Sequence, residues 1–161
     1  MSQYSTSGPL ETKELGKLFA QRMIEIKSRK ALFVGLLGDL GGGKTTFIQG
    51  VSKGLGIRKK ILSPTFVIIK RFKVSKEIAG KSSFRNFYHI DCYRIKKPKE
   101  LLDLGLEKIL SNPGNIVFVE WAEKMGKNMP GKPILINFIF EDKKTRKIKI
   151  NSKKFKDLIL K

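Results

Sequence analysis

Apolar residues recur with helical spacing over residues 12–27, where they form one apolar face. The pattern predicts an amphipathic helix with Thr12 as its N-cap. Residues 31–37 are almost continuously apolar and too few for a typical buried helix, which indicates a strand covered on both faces. A glycine-rich turn follows directly, and apolar positions over residues 47–55 predict a second helix.

The middle of the chain has the composition of paired strands. Thr65–Val74 and Phe84–Tyr93 are rich in β-branched and aromatic residues, and the polar segment Ser75–Ser82 between them suits a hairpin loop. Pro98 then opens a helix at its first position, which we expect to break near Gly105.

The last third of the chain predicts further strands. Residues 116–119 form a buried strand that ends at Glu120, and Ile134–Phe140 with Lys147–Asn151 form a second hairpin. The tail Phe155–Leu160 reads as a weak helix or strand. The order of elements predicts an α/β sandwich over the single domain 1–161. Its mixed sheet is expected to be parallel around the glycine-rich turn and antiparallel at one side.

The composition excludes several kinds of protein. No stretch approaches the roughly 20 apolar residues that span a bilayer, so no membrane partner is expected. The polar N-terminus lacks the apolar run of a signal peptide, and we expect a cytoplasmic location. The only cysteine, Cys92, lies in an apolar run and is interpreted as a core residue.

The net charge of +20 favours phosphates, nucleic acid or an acidic protein as partners. Lysine is spread along the chain without a basic block, an aromatic RNA motif or a zinc finger, and no DNA partner is expected. A basic RNA-binding module is therefore an alternative function. Contact with tRNA through the basic surface is also compatible with an enzyme that works near RNA.

The segment Gly38–Thr46 has the sequence GDLGGGKTT and satisfies the phosphate-loop pattern G-x-x-x-x-G-K-[ST]. Glycines allow the tight turn that points backbone N–H groups at phosphate oxygens, and the following helix adds the positive end of its dipole. Lys44 would reach the β- and γ-phosphates, and the hydroxyl of Thr45 would bind Mg²⁺. The sequence therefore predicts a site for ATP or ADP with Mg²⁺. With this motif, the predicted α/β fold is a three-layer P-loop NTPase-type sandwich.

Two carboxylates are candidates for the metal and the reaction. Glu120 ends a buried strand, where it could bind Mg²⁺ directly or through water, or could be an ordinary strand-end residue. Asp91 interrupts an apolar strand, where an unpaired carboxylate is costly. It could orient the attacking water or form a structural pair with Arg94 or Lys44.

Three further residues keep two interpretations each. His89 is expected on the same strand face as Asp91, as a structural rather than a catalytic histidine. Trp121 could be a core residue or could contact a ligand or partner. Thr65, in Ser63-Pro64-Thr65-Phe66, could sense the γ-phosphate as a switch or could cap a strand.

Four motifs in order resemble the TsaE family, the bacterial ATPases of threonylcarbamoyladenosine tRNA modification. They are GDLGGGKTT at 38–46, SPTF at 63–66, HIDCYR at 89–94 and VEW at 119–121. The resemblance covers roughly residues 7 to 140. This chain departs from the family pattern at Gly42, where alanine is usual, and at Ala122, where proline is usual.

The resemblance implies an ATPase that is weak alone and acts with two partner proteins, TsaB and TsaD. It implies Lys44 and Asp91 as catalytic residues, Thr45 and Glu120 as metal ligands, and Thr65 as part of a switch. It implies a nucleotide site formed by Thr12, Asp39, Leu40, Gly41, Gly42, Gly43, Lys44, Thr45 and Thr46. A P-loop small-molecule kinase is the remaining enzymatic alternative, although the sequence has no convincing arginine-bearing lid segment.

Overall fold

The computed structural model describes residues 1–62 and 68–158. The strands are β1 Ser2–Ser7, β2 Leu32–Leu37, β3 Ile69–Lys73, β4 Asn86–Asp91, β5 Asn115–Glu120, β6 Ile134–Phe140 and β7 Thr145–Ile150. The α-helices are α1 Pro9–Met23, α2 Lys44–Gly54, α3 Lys76–Lys81, α4 Lys99–Asp103 and α5 Leu106–Ser111. None of the helices within these ranges is long and apolar enough to cross a membrane.

The strands form one sheet in the order β1-β7-β6-β2-β5-β4-β3. The four central strands β6, β2, β5 and β4 are parallel, and the strands at both edges are antiparallel. The predicted α/β P-loop sandwich with a mixed sheet is confirmed, but the expectation of one antiparallel side is wrong. The second antiparallel side arises because β6 and β7 form an antiparallel hairpin, and β1, a strand that the sequence did not predict, extends it by pairing with β7.

The sheet carries apolar residues on both faces, and β5 shows this most clearly. Ile116 and Phe118 belong to the core beneath α1 and α2, whereas Val117 and Val119 belong to a second core with residues of α4 and α5. Alternate residues of a strand point to opposite faces. A strand buried on both sides therefore lies in the middle layer of three, as the apolar runs predicted.

The helix pair α1–α2 depends on glycines at its closest approach. A Cβ atom added at Gly50 would lie 1.9 Å from the carbonyl oxygen of Lys13, and one at Gly16 would lie 2.2 Å from that of Phe47. Backbones can come this close only where side chains are absent. The contact brings the first turn of α1, which contains Thr12, beside the start of α2 at Gly43.

Four local predictions need correction. Helix α1 begins at Pro9 with Gly8 as its N-cap, so Thr12 lies in its first turn instead of capping it. Proline is favoured at a first helical position, and the sequence analysis overlooked it here. The expected loop Ser75–Ser82 contains α3, whose N–H at Ile78 is capped by the Ser75 hydroxyl. Pro98 is the N-cap residue of α4 and not its first helical residue.

The fourth correction concerns the C-terminal tail, which has neither an α-helix nor a strand up to residue 158. It forms a 3-10 turn over Lys153–Phe155 instead. There the ring of Phe155 stacks on Phe19 with centroids 3.9 Å apart.

The predicted break at Gly105 is confirmed, because that residue separates α4 from α5 in a left-handed conformation. The first part of the strand expected over Thr65–Val74 lies outside the described residues.

Candidate nucleotide site

The glycine-rich turn connects the end of β2 to the start of α2. Gly38, Gly41 and Gly43 have φ angles of 114°, 76° and 96°, a region that side-chain-bearing residues rarely adopt. Gly43 is the N-cap of α2, so the helix begins at Lys44 with its N-terminal amides directed at the turn. The loop geometry therefore has the concave, amide-lined form that receives a phosphate chain.

Lys44 folds back over this loop. Its Nζ donates hydrogen bonds to the carbonyl oxygens of Gly38 at 2.5 Å and Asp39 at 2.7 Å. The same atom lies 4.1 Å from the centroid of the Trp121 ring. Burial lowers the pKa of Lys44, and the negative charge of Glu120 opposes that shift. The ammonium thus lies at the loop and donates to neutral carbonyl oxygens. A charged phosphate oxygen would form a stronger hydrogen bond with it and could replace them.

Thr45 and Glu120, the two residues that the family resemblance implies as metal ligands, contact each other across the site. The Thr45 hydroxyl donates to the two carboxylate oxygens of Glu120 at 2.9 and 3.1 Å. Glu120 is 3% exposed at the carboxyl end of β5, and Thr45 lies in the first turn of α2. A hydroxyl and a carboxylate are hard oxygen ligands, which fit Mg²⁺ bound jointly by protein, water and phosphate.

Asp91 lies beside Glu120, because the ends of β4 and β5 are in register at these two residues. One of its carboxylate oxygens accepts the backbone N–H of Tyr93 at 2.8 Å. Its charge also raises the pKa of Lys44, against the larger effect of burial. Asp91 therefore belongs to the same acidic edge as Glu120, with one oxygen fixing the turn that follows β4.

His89 contacts Glu120 directly. Its Nε2 lies 2.9 Å from the Oε1 atom of Glu120, and the side chain is fully buried. The predicted placement on the face of β4 that carries Asp91 is confirmed, because both side chains point to the Glu120 side of the sheet. The sequence analysis did not foresee the contact with Glu120, although the period-two alternation of the strand was compatible with it.

Trp121 and Cys92 have clear environments. Trp121 has a left-handed backbone with φ 58°, lines the cavity beside the loop, and packs against Tyr93 with ring centroids 5.3 Å apart. Its ring therefore lines the site and also packs against the second core.

Cys92 is buried as expected, and burial raises the pKa of its thiol to about 12.

Two cavities adjoin the glycine-rich loop and share Gly41, Gly43 and Thr46 in their linings. The larger, of about 490 Å³, is lined by Leu40, Gly41, Gly42, Gly43, Lys44, Thr45, Thr46, Ile68, Asp91, Tyr93, Arg94, Glu120 and Trp121. The smaller, of about 240 Å³, is lined by Gly8, Pro9, Thr12, Gly41, Gly43, Thr46, Lys143, Lys144 and Arg146. Most residues of the predicted nucleotide site thus line one cavity or both. Thr65 lies outside the described residues.

The smaller cavity contains residues that sequence reasoning missed. Arg146 donates from Nε to the carbonyl oxygen of Gly41 at 3.3 Å, and its guanidinium lies 4.3 Å from the ring centroid of Phe140. On the other wall, Thr12 shares a 2.8 Å hydrogen bond with Thr6. Arg146 is 105 positions from Gly41 along the chain, and no local pattern indicated that the β6–β7 hairpin would return to the loop.

In this mixed sheet, the central parallel strand β2 leads through the glycine-rich loop into a helix that begins with Lys44 and Thr45. The carboxylate at the end of β5 lies opposite that helix start. This arrangement defines the P-loop NTPase-type class of α/β proteins. The model of one family, "Threonylcarbamoyl adenosine biosynthesis protein TsaE", matches residues 6–148. The chain belongs to the TsaE family, as the four motifs predicted.

Several relatives carry the name "tRNA threonylcarbamoyladenosine biosynthesis protein TsaE". The Rickettsia prowazekii protein is 36% identical over 146 residues, which are 90% of this chain and 91% of the relative. The Haemophilus influenzae protein is 36% identical over 127 residues, covering 79% of this chain and 75% of the relative. The crystal structure of Bacillus subtilis YdiB superimposes with a TM-score of 0.69 at 30% identity, covering 92% of this chain and 82% of YdiB.

Proposed function

We propose that this chain is a Mg²⁺-dependent ATPase that acts with TsaB and TsaD proteins in the threonylcarbamoyladenosine modification of tRNA. The observation that carries the proposal is the meeting of Lys44, Thr45 and Glu120 at one glycine-rich loop between two cavities. Membership of the TsaE family supports the biological role. Family membership favours this proposal over the two alternatives, a small-molecule kinase and a basic RNA-binding module.

The two cavities that adjoin the loop suggest how the nucleotide would lie. The triphosphate would follow the loop, with its terminal phosphate toward Asp91 and Glu120 in the larger cavity. The nucleoside would enter the smaller cavity between Thr12 and Arg146. A guanidinium that already lies against the Phe140 ring is well suited to stack on a purine base as well.

Each polar residue of the site has a distinct task in this arrangement. Lys44 would leave the carbonyl oxygens of Gly38 and Asp39 for phosphate oxygens. Thr45 and Glu120 would hold Mg²⁺, whose charge would neutralise the phosphates during bond cleavage. Asp91 would accept a hydrogen bond from the attacking water and orient it toward the terminal phosphate.

The rim of the site supports action with partner proteins. Leu40 and Tyr93 line the larger cavity, yet they are 76% and 51% exposed. Phe140, packed against Arg146 of the smaller cavity, is 51% exposed. Apolar side chains that surround a binding site in this way are typical of surfaces that another protein covers. The excess of positive charge would attract an acidic partner surface or tRNA to this protein.

Reconstituted tRNA modification with purified TsaB and TsaD tests the proposal. We expect several rounds of modification per complex with this chain and ATP present, and few rounds without it. The variant Lys44→Ala should fail to support turnover while keeping its fold by circular dichroism. Multiple-turnover modification that proceeds equally well without the chain, or with Lys44→Ala, would refute the proposed role.

A further inference from the structure

We propose that His89 is a positioning residue that fixes the Glu120 carboxylate for magnesium binding. The inference rests on the proposed function and extends it to a residue that touches neither metal nor nucleotide. It starts from a hydrogen-bonded series of three side chains, in which Thr45 and His89 hold Glu120 from two sides.

The carboxylate of Glu120 has limited freedom in this arrangement. Its Oε1 atom lies 2.9 Å from both the Thr45 hydroxyl and the His89 Nε2 atom, and its Oε2 atom lies 3.1 Å from the same hydroxyl. Thr45 comes from the start of α2 and His89 from β4, so the two contacts approach from different elements. The carboxylate plane is thereby set before any metal arrives.

The surroundings of His89 argue against a purely structural role. The residue is fully buried, and its neighbours Phe87 and Ile90 on β4 are apolar and equally buried. Its Nδ1 atom is buried and has no hydrogen-bond partner among residues 1–62 and 68–158. A buried polar atom without a partner destabilises a fold, so an apolar side chain would serve the core better here. The interaction that His89 makes, and that an apolar side chain could not make, is the hydrogen bond to Glu120.

The contact also defines the form of the imidazole ring. A Glu120 carboxylate that receives the Thr45 proton acts as an acceptor, so the facing Nε2 atom of His89 must carry hydrogen. The contact therefore requires a ring form that carries hydrogen on Nε2, which rules out the tautomer protonated only at Nδ1. Residues that orient a metal ligand in this way commonly change metal affinity by about 10-fold to 100-fold when they are removed.

The test compares three variants of buried positions on one face of β4. His89→Leu removes the donor, whereas His89→Gln places an amide N–H near the position of Nε2. Phe87→Leu truncates a buried side chain of the first core and does not involve Glu120, so it controls for loss of stability. Binding of a fluorescent ATP analogue is measured against Mg²⁺ concentration and again in EDTA.

We expect His89→Leu to raise the Mg²⁺ concentration for half-maximal binding by about tenfold, with unchanged affinity in EDTA. His89→Gln should restore most of that loss, and Phe87→Leu should match the wild-type Mg²⁺ dependence. Because His89 is the only histidine, its imidazole ¹⁵N signals also report the tautomer directly. They should show hydrogen on Nε2 and shift when Mg²⁺ and nucleotide are added.

Two results would overturn the inference. One is a His89→Leu protein whose Mg²⁺ dependence equals that of the wild type. The other is an imidazole ring protonated only at Nδ1, because its Nε2 could not then donate to Glu120. A wild-type protein whose nucleotide binding ignores Mg²⁺ would instead refute the proposed function itself. The two failures are therefore distinguishable.

Discussion

Lys44 carries a positive charge in an enclosed position, with only 4% of its surface exposed. Its motif predicted a role in phosphate binding, and the chain order alone placed it at the start of a helix. The sequence could not show the ring of Trp121 beneath its ammonium, because that contact joins residues from different elements. Local motifs thus identify the reactive groups, whereas their neighbours depend on how the sheet brings distant strand ends together.

The lowered pKa of Lys44 leads to a prediction about stability and pH. Its folded-state pKa lies below 10.5, so the unfolded chain binds more protons between those two values. The free energy of unfolding should therefore rise with pH in that window, and Lys44→Met should lack this contribution. In urea titrations we expect the free energy of unfolding of the wild type, minus that of Lys44→Met, to increase as the pH rises toward 10.5. A difference that stays constant or falls would contradict the burial of the charge.

Asp91 gives a second prediction at this scale. Since it lies at the acidic edge of the larger cavity and not on the loop, Asp91→Ala should lower ATP turnover more than nucleotide affinity. A loss of general-base or water-orienting groups commonly costs about 100-fold to 10,000-fold in rate. Steady-state hydrolysis and analogue binding measured on the same preparation separate the two effects. Unchanged ATP hydrolysis in Asp91→Ala would contradict a role in orienting water and would leave Asp91 a structural role, such as stabilising the turn at Tyr93.

Among the elements, those with strong apolar patterns were predicted well and the polar ones were missed. Strands β2 and β5 are apolar runs, and both appear where expected. Strand β1 was missed because its sequence, SQYSTS, has only Ser2 and Thr6 buried and lacks apolar alternation. Pairing with β7 orders this segment, and that tertiary contact leaves no local signal.

The close packing of α1 on α2 yields a prediction about glycines. Gly50→Ala would place a methyl group 1.9 Å from the carbonyl oxygen of Lys13, so the helices must separate. We expect a loss of roughly 1–3 kcal/mol in the free energy of unfolding, together with weaker nucleotide binding because Thr12 moves from Gly43.

Gly80→Ala is the matched control, since it lies in α3 with open space around its Cβ position. It should be neutral or stabilise the protein by up to about 1 kcal/mol. Equal effects of the two substitutions in thermal or urea unfolding would contradict the described helix contact.

The net charge of the whole molecule follows directly from its sequence, and most of the basic side chains have no acidic side chain available to pair with. The chain has 34 Lys and Arg residues against 14 Asp and Glu residues. The ion pairs Lys17–Glu14 and Lys81–Glu77 join neighbouring turns of single helices at the surface, where such pairs contribute little. The composition predicted attraction to anions, but it could not reveal that the proposed nucleotide site lies at the carboxyl edge of the sheet.

This imbalance predicts how stability responds to salt. Repulsion among like charges destabilises the compact state, and added ions screen it over about 10 Å at 0.1 M. We expect the melting temperature without nucleotide to rise between about 0.02 M and about 0.2 M KCl, as followed by differential scanning fluorimetry. A melting temperature that falls or stays level over this range would show that the repulsion is already balanced locally.

The central claim is that Thr45 and Glu120 hold Mg²⁺ for a nucleotide bound at the glycine-rich loop. Calorimetric titration of a non-hydrolysable ATP analogue into wild type, Glu120→Ala and Glu123→Ala, each with Mg²⁺ and with EDTA, tests it directly. Glu123 is an exposed acidic neighbour that also acts on Lys44, so its variant controls for loss of charge. Mg²⁺ should tighten binding to wild type and Glu123→Ala, and Glu120→Ala should keep the EDTA affinity but lose the tightening. Equal tightening in Glu120→Ala would contradict the account.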